Sequence, residues 1–281
     1  MRVLVTGAAG QLGTEVARCF VAGDHEVVAA ARAELDIVSR DQVLGVVGAL
    51  RPAVIVNCAA FTAVDNAETS PEWAYATNAL AVRHLAEASR RFGAHLCHIS
   101  SDYVFSGETA EPYHEWDRPA PLSVYGLSKL AGEQEAGSAA TVVRTSWLCG
   151  LGGNNVVQTV LGLASLGEAM RFVDDQRGSP SFATDVAEVV YRLCGERRAG
   201  LYHVANQGSA TWYELARAVL AAAGYNPNLV TPITTAELSP PRLAKRPAYS
   251  VLENRACKLA GIGEPPPYGE SLVRLVHALV R

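Results

Sequence analysis

The sequence predicts an α/β fold in which helices cover both faces of a doubly wound parallel sheet, followed by a smaller lobe. Over the first half of the chain, short apolar runs alternate with helical patterns, an alternation typical of parallel βαβ units. A glycine-rich turn lies between the first apolar run and the first helical pattern. After about residue 150, frequent prolines break the pattern into shorter elements. These observations together indicate a Rossmann sheet with a smaller C-terminal lobe.

The individual elements follow from the same patterns in chain order. Strands are predicted at 2–6, 26–31, 53–57, 95–100 and 141–145, where short runs of apolar residues occur. Helices are predicted at 11–21, 40–50, 71–92 and 125–136 in the first half, and at 185–193, 212–223 and 271–280 in the second. Ser39 and Gln42 form a capping-box pattern before the second helix, and Pro71 suits the first turn of the third.

Composition excludes several classes of protein. The 281 residues are 49% apolar and carry a net charge of −4, which argues against a disordered chain and against a large basic surface for nucleic acid. The six cysteines form no C-x-x-C pair, so no zinc ribbon or dithiol site is encoded locally. No apolar run reaches the ~18 residues of a membrane span, and charged residues come too early for a secretory leader. We expect a cytoplasmic protein that binds neither membrane nor nucleic acid.

The glycine-rich turn is the first candidate binding site. Gly7, Gly10 and Gly13 follow the first strand and open a helix. Glycines permit a tight turn and close backbone approach to a pyrophosphate, which then rests on the helix N-terminus. The pattern predicts a dinucleotide-binding domain over 1–150, with 151–281 as a mainly substrate-binding lobe from which some segments return to the first domain.

The end of the second predicted strand bears on the choice of dinucleotide. An acidic residue is expected there in NAD-binding proteins, and Arg32 stands in its place. An arginine can bind the 2′-phosphate of NADPH, so this cofactor is favoured, with NADH still possible. Asp36, followed by Ile37, could instead contact the adenine amine.

A pair of residues on one predicted helix indicates acid–base chemistry. Tyr125 and Lys129 lie four residues apart and therefore share a helix face. A nearby ammonium group lowers the pKa of a tyrosine from about 10, which suits proton exchange between an alcohol and a carbonyl. The chain has 21 arginines and only three lysines, so a chance pairing of this kind is improbable. Ser101 follows a strand at the same sheet edge, where its hydroxyl could hydrogen-bond a carbonyl oxygen.

Several motifs together resemble the extended short-chain dehydrogenase/reductases, and more narrowly the dTDP-4-dehydrorhamnose reductase family. The resemblance covers nearly the whole chain. The motifs that carry it are TGAAGQLG (6–13), NCAAFTAVDNAE (57–68), SSDYVFSG (100–107), YGLSKLAGE (125–133), RTSWL (144–148), DDQRGSPS (174–181) and RPAYSVL (246–252), together with Asn78.

The resemblance implies reduction of the C4 keto group of a dTDP-linked 4-keto-6-deoxy sugar, with dTDP-L-rhamnose as product. Tyr125 would donate the proton, Lys129 would bind the nicotinamide ribose, and Ser101 would be the catalytic hydroxyl. Implied cofactor contacts are Gly7, Gly10, Gln11, Leu12, Gly13, Cys58, Ala59, Ala60, Asn78, Tyr125 and Lys129. Implied contacts with the sugar nucleotide are Val104, Trp147, Asn154 and Asn155, with Arg177 and Arg246 as cations for the diphosphate.

Some residues depart from the family's usual pattern on the sugar side. Ser106, Cys149 and Val157–Gln158 replace what are commonly Asp, Tyr and Val-Lys. A related 4-ketoreductase of a specialised deoxysugar therefore stays open. So do an epimerase or dehydratase that recycles NAD, and a non-catalytic regulatory subunit on the same fold.

The remaining signals are interpreted as structural. His95, Cys97 and His98 lie on opposite faces of a strand and cannot share a metal ion. Glu15 and Glu188 match positions that some relatives use around an interface metal, but we expect both on solvated helix faces, which leaves Mg²⁺ undecided. Trp73 and Tyr75 are expected in the core. The protein is expected to be a monomer or a homodimer.

Overall fold

The computed structural model describes residues 1–280. Strands and helices alternate in its first half, as the apolar runs predict. The elements of the first half are β1 (Arg2–Thr6), α1 (Gln11–Ala22), β2 (Glu26–Ala30), α2 (Arg40–Leu50), β3 (Val54–Asn57), α3 (Val64–Thr69), α4 (Pro71–Tyr75), α5 (Ala81–Phe92), β4 (His95–Ser101), α6 (Val124–Ala136) and β5 (Thr141–Thr145). The second half adds β6 (Leu148–Cys149), α7 (Val156–Ser165), β7 (Met170–Val173), β8 (Arg177–Gly178), β9 (Ser181–Phe182), α8 (Ala183–Gly195), β10 (Gly200–His203), β11 (Ala210–Thr211), α9 (Trp212–Ala222), β12 (Val230–Ile233), α10 (Arg255–Ala260) and α11 (Tyr268–Leu279).

The central sheet has six strands in the order β10-β5-β4-β3-β1-β2, and every pairing is parallel. The chain runs outward from β1 to β2 and then returns to place β3 on the other side of β1. This reversal opens a crevice at the carboxyl ends of the strands, where open α/β sheets bind ligands. The predicted fold class is confirmed.

Both faces of the sheet are covered by helices. Val3 and Val5 point to one face and pack with residues of α1 and α8, whereas Leu4 points to the other and packs with α2 and α5. Strands that are buried on both faces, such as β1 and β3, are therefore apolar at most positions. Helix α8 and strand β10 come from the second half of the chain but complete this first core.

A second core lies in the C-terminal half. It is formed by apolar residues of α7, α9 and α11 with strands β7 and β12, including Val160, Leu215 and Leu272. The described residues contain no helix that is both long and apolar enough to cross a bilayer.

The region 71–92 differs from the expected single helix. A π-helical turn at Ala76–Leu80 separates α4 from α5. The expectation that Trp73 and Tyr75 lie in the core is wrong, because their residues are 58% and 40% exposed. The π-helical turn nevertheless places Thr77 in the lining of a cavity at the carboxyl edge of the sheet, and Asn78 is buried.

Candidate active site

A cavity of about 730 Å³ occupies the carboxyl edge of the sheet. The predicted site residues that line it are Gly7, Gly10, Gln11, Leu12, Gly13, Arg32, Asp36, Ile37, Cys58, Ala59, Ala60, Ser101, Tyr125, Lys129, Trp147 and Asn154. The turn, the acid–base pair and Ser101 therefore share one cavity. Asn78, Val104, Asn155, Arg177 and Arg246 lie outside its lining.

The glycine turn leaves no room for side chains. Gly7 has a φ of +65°, and a Cβ there would lie 2.5 Å from the backbone nitrogen of Ala59. A Cβ at Gly13 would overlap the carbonyl oxygen of Gly7. No side chain caps the N-terminus of α1, so its first turn remains available to an anionic group. This cradle fits a dinucleotide pyrophosphate.

Arg32 and Asp36 lie at the β2 end of the cavity. Arg32 is exposed and forms no ion pair within residues 1–280. Asp36 is engaged in its own loop, because its carboxylate accepts the N–H of Val38 at 3.1 Å. The predicted capping box is only half formed, since Ser39 caps α2 while the Gln42 side chain accepts the N–H of Asp36 at 3.2 Å. The Arg32 guanidinium is therefore available to bind an anionic group at the β2 end of the cavity.

Asn78 supports the cavity from behind. Its side chain accepts the N–H of Phe61 at 2.8 Å and donates to the Phe61 carbonyl at 3.1 Å. It also donates to the hydroxyl of Ser128 on α6 at 3.0 Å. These bonds join the segment after β3, which includes Cys58–Ala60, to the helix that carries Tyr125.

Ser101, Tyr125 and Lys129 converge from β4 and α6. Ser123 caps α6 by accepting the N–H of Gly126 at 3.2 Å, which places Tyr125 in the first turn. Burial raises the pKa of Tyr125, and a hydrogen bond with Ser101 opposes that rise. Lys129 donates to the carbonyl of Ile99 at 2.6 Å, and burial lowers its pKa to about 8. In this geometry the Lys129 amino group is committed to Ile99, and its lowering of the Tyr125 pKa stays a prediction.

Asp102 lines the cavity beside Ser101, although the sequence predicts no role for it. Its carboxylate accepts the hydroxyl of Ser101 at 3.1 Å and that of Ser250 at 2.6 Å. Burial raises its pKa to about 7, with the two hydroxyls acting in the opposite direction. Its position next to Ser101 in SSDYVF could have indicated a site residue. Its contact with Ser250 is visible only in the folded structure.

The raised pKa of Asp102 predicts a pH-dependent stability. An unfolded aspartate titrates near pH ~4, so between about pH 4 and about pH 7 the folded state binds more protons than the unfolded state. As the pH rises through this interval, the free energy of unfolding of the natural protein should therefore fall relative to that of Asp102→Asn. Urea titrations at several pH values measure the difference. Parallel curves for the two proteins would contradict the prediction.

Only some of the residues expected to contact the sugar nucleotide line the cavity. Asn154 and Trp147 line the cavity, and Val104 is fully buried behind it. Asn155 donates to the Gln11 side chain at 2.9 Å and thereby links α7 to the glycine turn. Its contact with substrate stays a prediction.

The two arginines predicted to bind the diphosphate each form an ion pair with a carboxylate of this chain. Arg177 pairs with Glu214 at 3.0 Å. Arg246 pairs with Asp65 at 2.6 Å, and this hydrogen bond holds the pKa of Asp65 down at about 2. Their role toward a diphosphate stays a prediction.

The two glutamates considered for a metal lie in different surroundings. Glu188 is largely exposed and pairs with Arg192 at 3.8 Å. The expectation that Glu15 is solvated is wrong, because it is only 7% exposed and accepts from Arg18 at 2.8 Å. Within residues 1–280, no group of three or more His, Cys, Asp or Glu side chains is arranged to hold a metal ion.

Comparison with known proteins matches this architecture over its full length. The family model described as RmlD substrate binding domain matches residues 1–281. The chain is 41% identical over 270 residues to the dTDP-4-dehydrorhamnose reductase of Streptomyces griseus, which covers 93% of this chain and 88% of the relative. It is 42% identical over 257 residues to a Streptomyces antibioticus protein named probable dTDP-4,6-dihydroxy-2-methyloxan-3-one 4-ketoreductase, covering 90% and 86%.

Among solved structures, the dTDP-4-dehydrorhamnose reductase of Bacillus anthracis strain Ames in complex with NADP has a TM-score of 0.94, 38% identity and 99% coverage of both chains. The resemblance carried by the motifs is confirmed. A family model that spans the whole chain, together with these relatives, shows that the protein belongs to the RmlD substrate binding domain family.

Proposed function

We propose that this protein is an NADPH-dependent reductase that converts dTDP-4-dehydrorhamnose to dTDP-L-rhamnose by reducing the C4 keto group. The observation that carries the proposal is the shared cavity, since Ser101, Tyr125 and Lys129 open onto the same space as the glycine turn. The likeness to a dTDP-4-dehydrorhamnose reductase and to a structural neighbour in complex with NADP supports it. The C-terminal lobe would hold most of the sugar nucleotide.

The chain's own residues supply binding and proton transfer. Gly7, Gly10 and Gly13 would hold the pyrophosphate of NADPH, and Arg32 its 2′-phosphate. Bound NADPH would supply the hydride that reduces the carbonyl carbon.

Ser101 would donate a hydrogen bond to the carbonyl oxygen, and Tyr125 would protonate that oxygen as negative charge develops on it. The buried Lys129 would bind the nicotinamide ribose and favour the ionised form of Tyr125. Without substrate, the Ser101 hydroxyl donates its single proton to Asp102, so this proton would turn from Asp102 to the carbonyl oxygen when the sugar nucleotide binds.

Arg32→Ala should raise the KM for NADPH by about 10- to 100-fold, because it removes a charge-assisted hydrogen bond. The KM for NADH should change little, since NADH lacks the 2′-phosphate. Steady-state kinetics with each cofactor measure both values. Arg40→Ala is the matched control, because Arg40 is a nearby arginine that pairs with Glu87 outside the cavity lining. Equal changes in the KM for NADH and the KM for NADPH would show that Arg32 does not bind the 2′-phosphate.

The proposed reaction is tested with the purified protein and enzymatically made dTDP-4-keto-6-deoxy sugars. NADPH oxidation should depend on the keto sugar, and the product should be dTDP-L-rhamnose by NMR. A protein that consumes no cofactor with any of these sugars would contradict the proposal and favour the regulatory subunit. Turnover without net cofactor consumption would instead indicate an epimerase or dehydratase.

A second candidate is a 4-ketoreductase that acts on a specialised deoxysugar. The likeness to the Streptomyces antibioticus protein supports it, as do the departures at Ser106 and Cys149. The configuration of the new C4 hydroxyl in the NMR spectrum distinguishes the two reductases.

A further inference from the structure

Trp147 forms the end wall of the cavity and rests on a second tryptophan. The indoles of Trp147 and Trp212 are stacked, with ring centroids 3.6 Å apart and planes inclined by 7°. Trp147 lines the cavity, whereas Trp212 lies behind it at the first position of α9. A residue of the C-terminal lobe therefore supports an aromatic side chain that the cavity presents to a ligand.

The backbone of Trp147 is held in an uncommon conformation. Its φ is +44°, a left-handed value that non-glycine residues adopt only when their surroundings impose it. Gly178 supplies part of those surroundings, because a Cβ there would lie 2.5 Å from the indole atom Cε2. The Trp147 indole thus packs directly on the Gly178 backbone as well as on Trp212.

The segment that contains Gly178 also anchors the start of α9. Strand β8 pairs with β11, which places Arg177 beside Thr211. Thr211 caps α9 in a reciprocal capping box with Glu214, and Arg177 pairs with the same glutamate at 3.0 Å. The Thr211 hydroxyl donates to Asp174 at 2.6 Å. Three residues of the motif DDQRGSPS thereby fix the helix end that bears Trp212.

The position of the wall indicates which ligand it meets. The glycine turn follows β1 and Arg32 follows β2, at one end of the strand order, while Trp147 follows β5 at the other. Ser101, which ends β4, lies between them. A dinucleotide that extends from Arg32 toward Ser101 leaves the space beside Trp147 to the second substrate.

We propose that Trp212 is a positioning residue that fixes the Trp147 indole as a rigid wall for the sugar nucleotide. The inference rests on the proposed function and names the part of the lobe that prepares the substrate site. A side chain ordered before binding loses less conformational freedom when the ligand arrives, which improves affinity. Arg177 and Gly178 act through this stack.

Steady-state kinetics of Trp212→Ala test the inference. The KM for the sugar nucleotide should rise by about 10-fold or more, because the Trp147 wall is no longer held in place. The KM for NADPH and its Kd should stay at their natural values, which also shows that the variant is folded. Trp212→Phe retains an aromatic ring for Trp147 and should restore most of the lost affinity.

Two further variants make the test specific. Gly178→Ala displaces the indole from the other contact and should raise the same KM without touching Trp212. Trp116→Ala is the matched control, because Trp116 is 65% exposed and outside the cavity lining. An unchanged sugar KM in Trp212→Ala, or an equal rise in the KM for NADPH, would overturn the inference. Failure of the proposed function is distinct, since the natural protein itself would then reduce no keto sugar.

Discussion

Tyr125→Phe should lower kcat by about 10²- to 10⁴-fold, the contribution expected of a positioned general acid. The substitution removes only the phenolic hydroxyl, so the ring contact with Tyr103 is retained, at 5.6 Å between centroids. Because the ring is retained and the lost hydroxyl acts in proton transfer, the Kd for NADPH should change by about a few-fold at most. Keto-sugar-dependent NADPH oxidation measures the rate, and fluorescence titration measures the binding.

Tyr103→Phe is the control for this experiment. Tyr103 packs on the edge of Tyr125 but does not line the cavity, so the loss of its hydroxyl should change kcat by a few-fold at most. If Tyr125→Phe retained full activity, proton donation by Tyr125 would be wrong, and an acid elsewhere in the cavity would be required. Asp102 would then be the first residue to examine, because its pKa is raised to about 7.

Arg144→Met should destabilise the fold by about 3–5 kcal/mol, since removing one partner of a buried ion pair leaves the other charge uncompensated. The Arg144 side chain is 2% exposed and donates to both carboxylate oxygens of Glu133, at 2.8 and 2.7 Å. Glu133 also accepts the Ser100 hydroxyl at 2.6 Å. The pair therefore ties α6, the helix of the acid–base residues, to β4 and β5. Urea titration measures the loss.

Arg83→Met provides the matched control on the surface. Arg83 pairs with Glu135, another residue of α6, but its side chain is 59% exposed. An exposed pair of this kind contributes little to the free energy of unfolding, because water and salt screen it. The double variant Arg144→Met with Glu133→Leu should recover part of the loss, because no unpaired charge remains buried. Equal losses from Arg144→Met and Arg83→Met would contradict the assignment.

The strands and the turn were predictable because their signals are local. Short apolar stretches mark the buried strands of a parallel sheet, so β1 and β5 were predicted at their observed bounds, although only Val142 and Val143 of β5 are apolar. The glycine turn was predictable for the same reason, since its strand–turn–helix context lies within one short segment. Trp73 and Tyr75 were misjudged because aromatic residues on a helix do not reveal whether another element covers them.

Longer-range partners were not accessible to the same reasoning. Glu15 was expected in solvent, but it is only 7% exposed in the folded chain. Arg246 was assigned to a ligand, and the structure pairs it with Asp65, which is 181 positions away. Asp102 received no role because Ser250, its hydrogen-bond partner, is 148 positions away.

The amino-acid order alone was sufficient for five of the six strands of the central sheet, for the glycine turn and for the placement of Tyr125 and Lys129 on one helix, because each depends on residues close together in the chain. The ion pairs of the arginines, the environment of Asp102 and the Trp147–Trp212 stack were decided by the folded molecule. These contacts join segments far apart in the chain, and burial then sets the pKa of each group they enclose. No local pattern records which distant segments will meet.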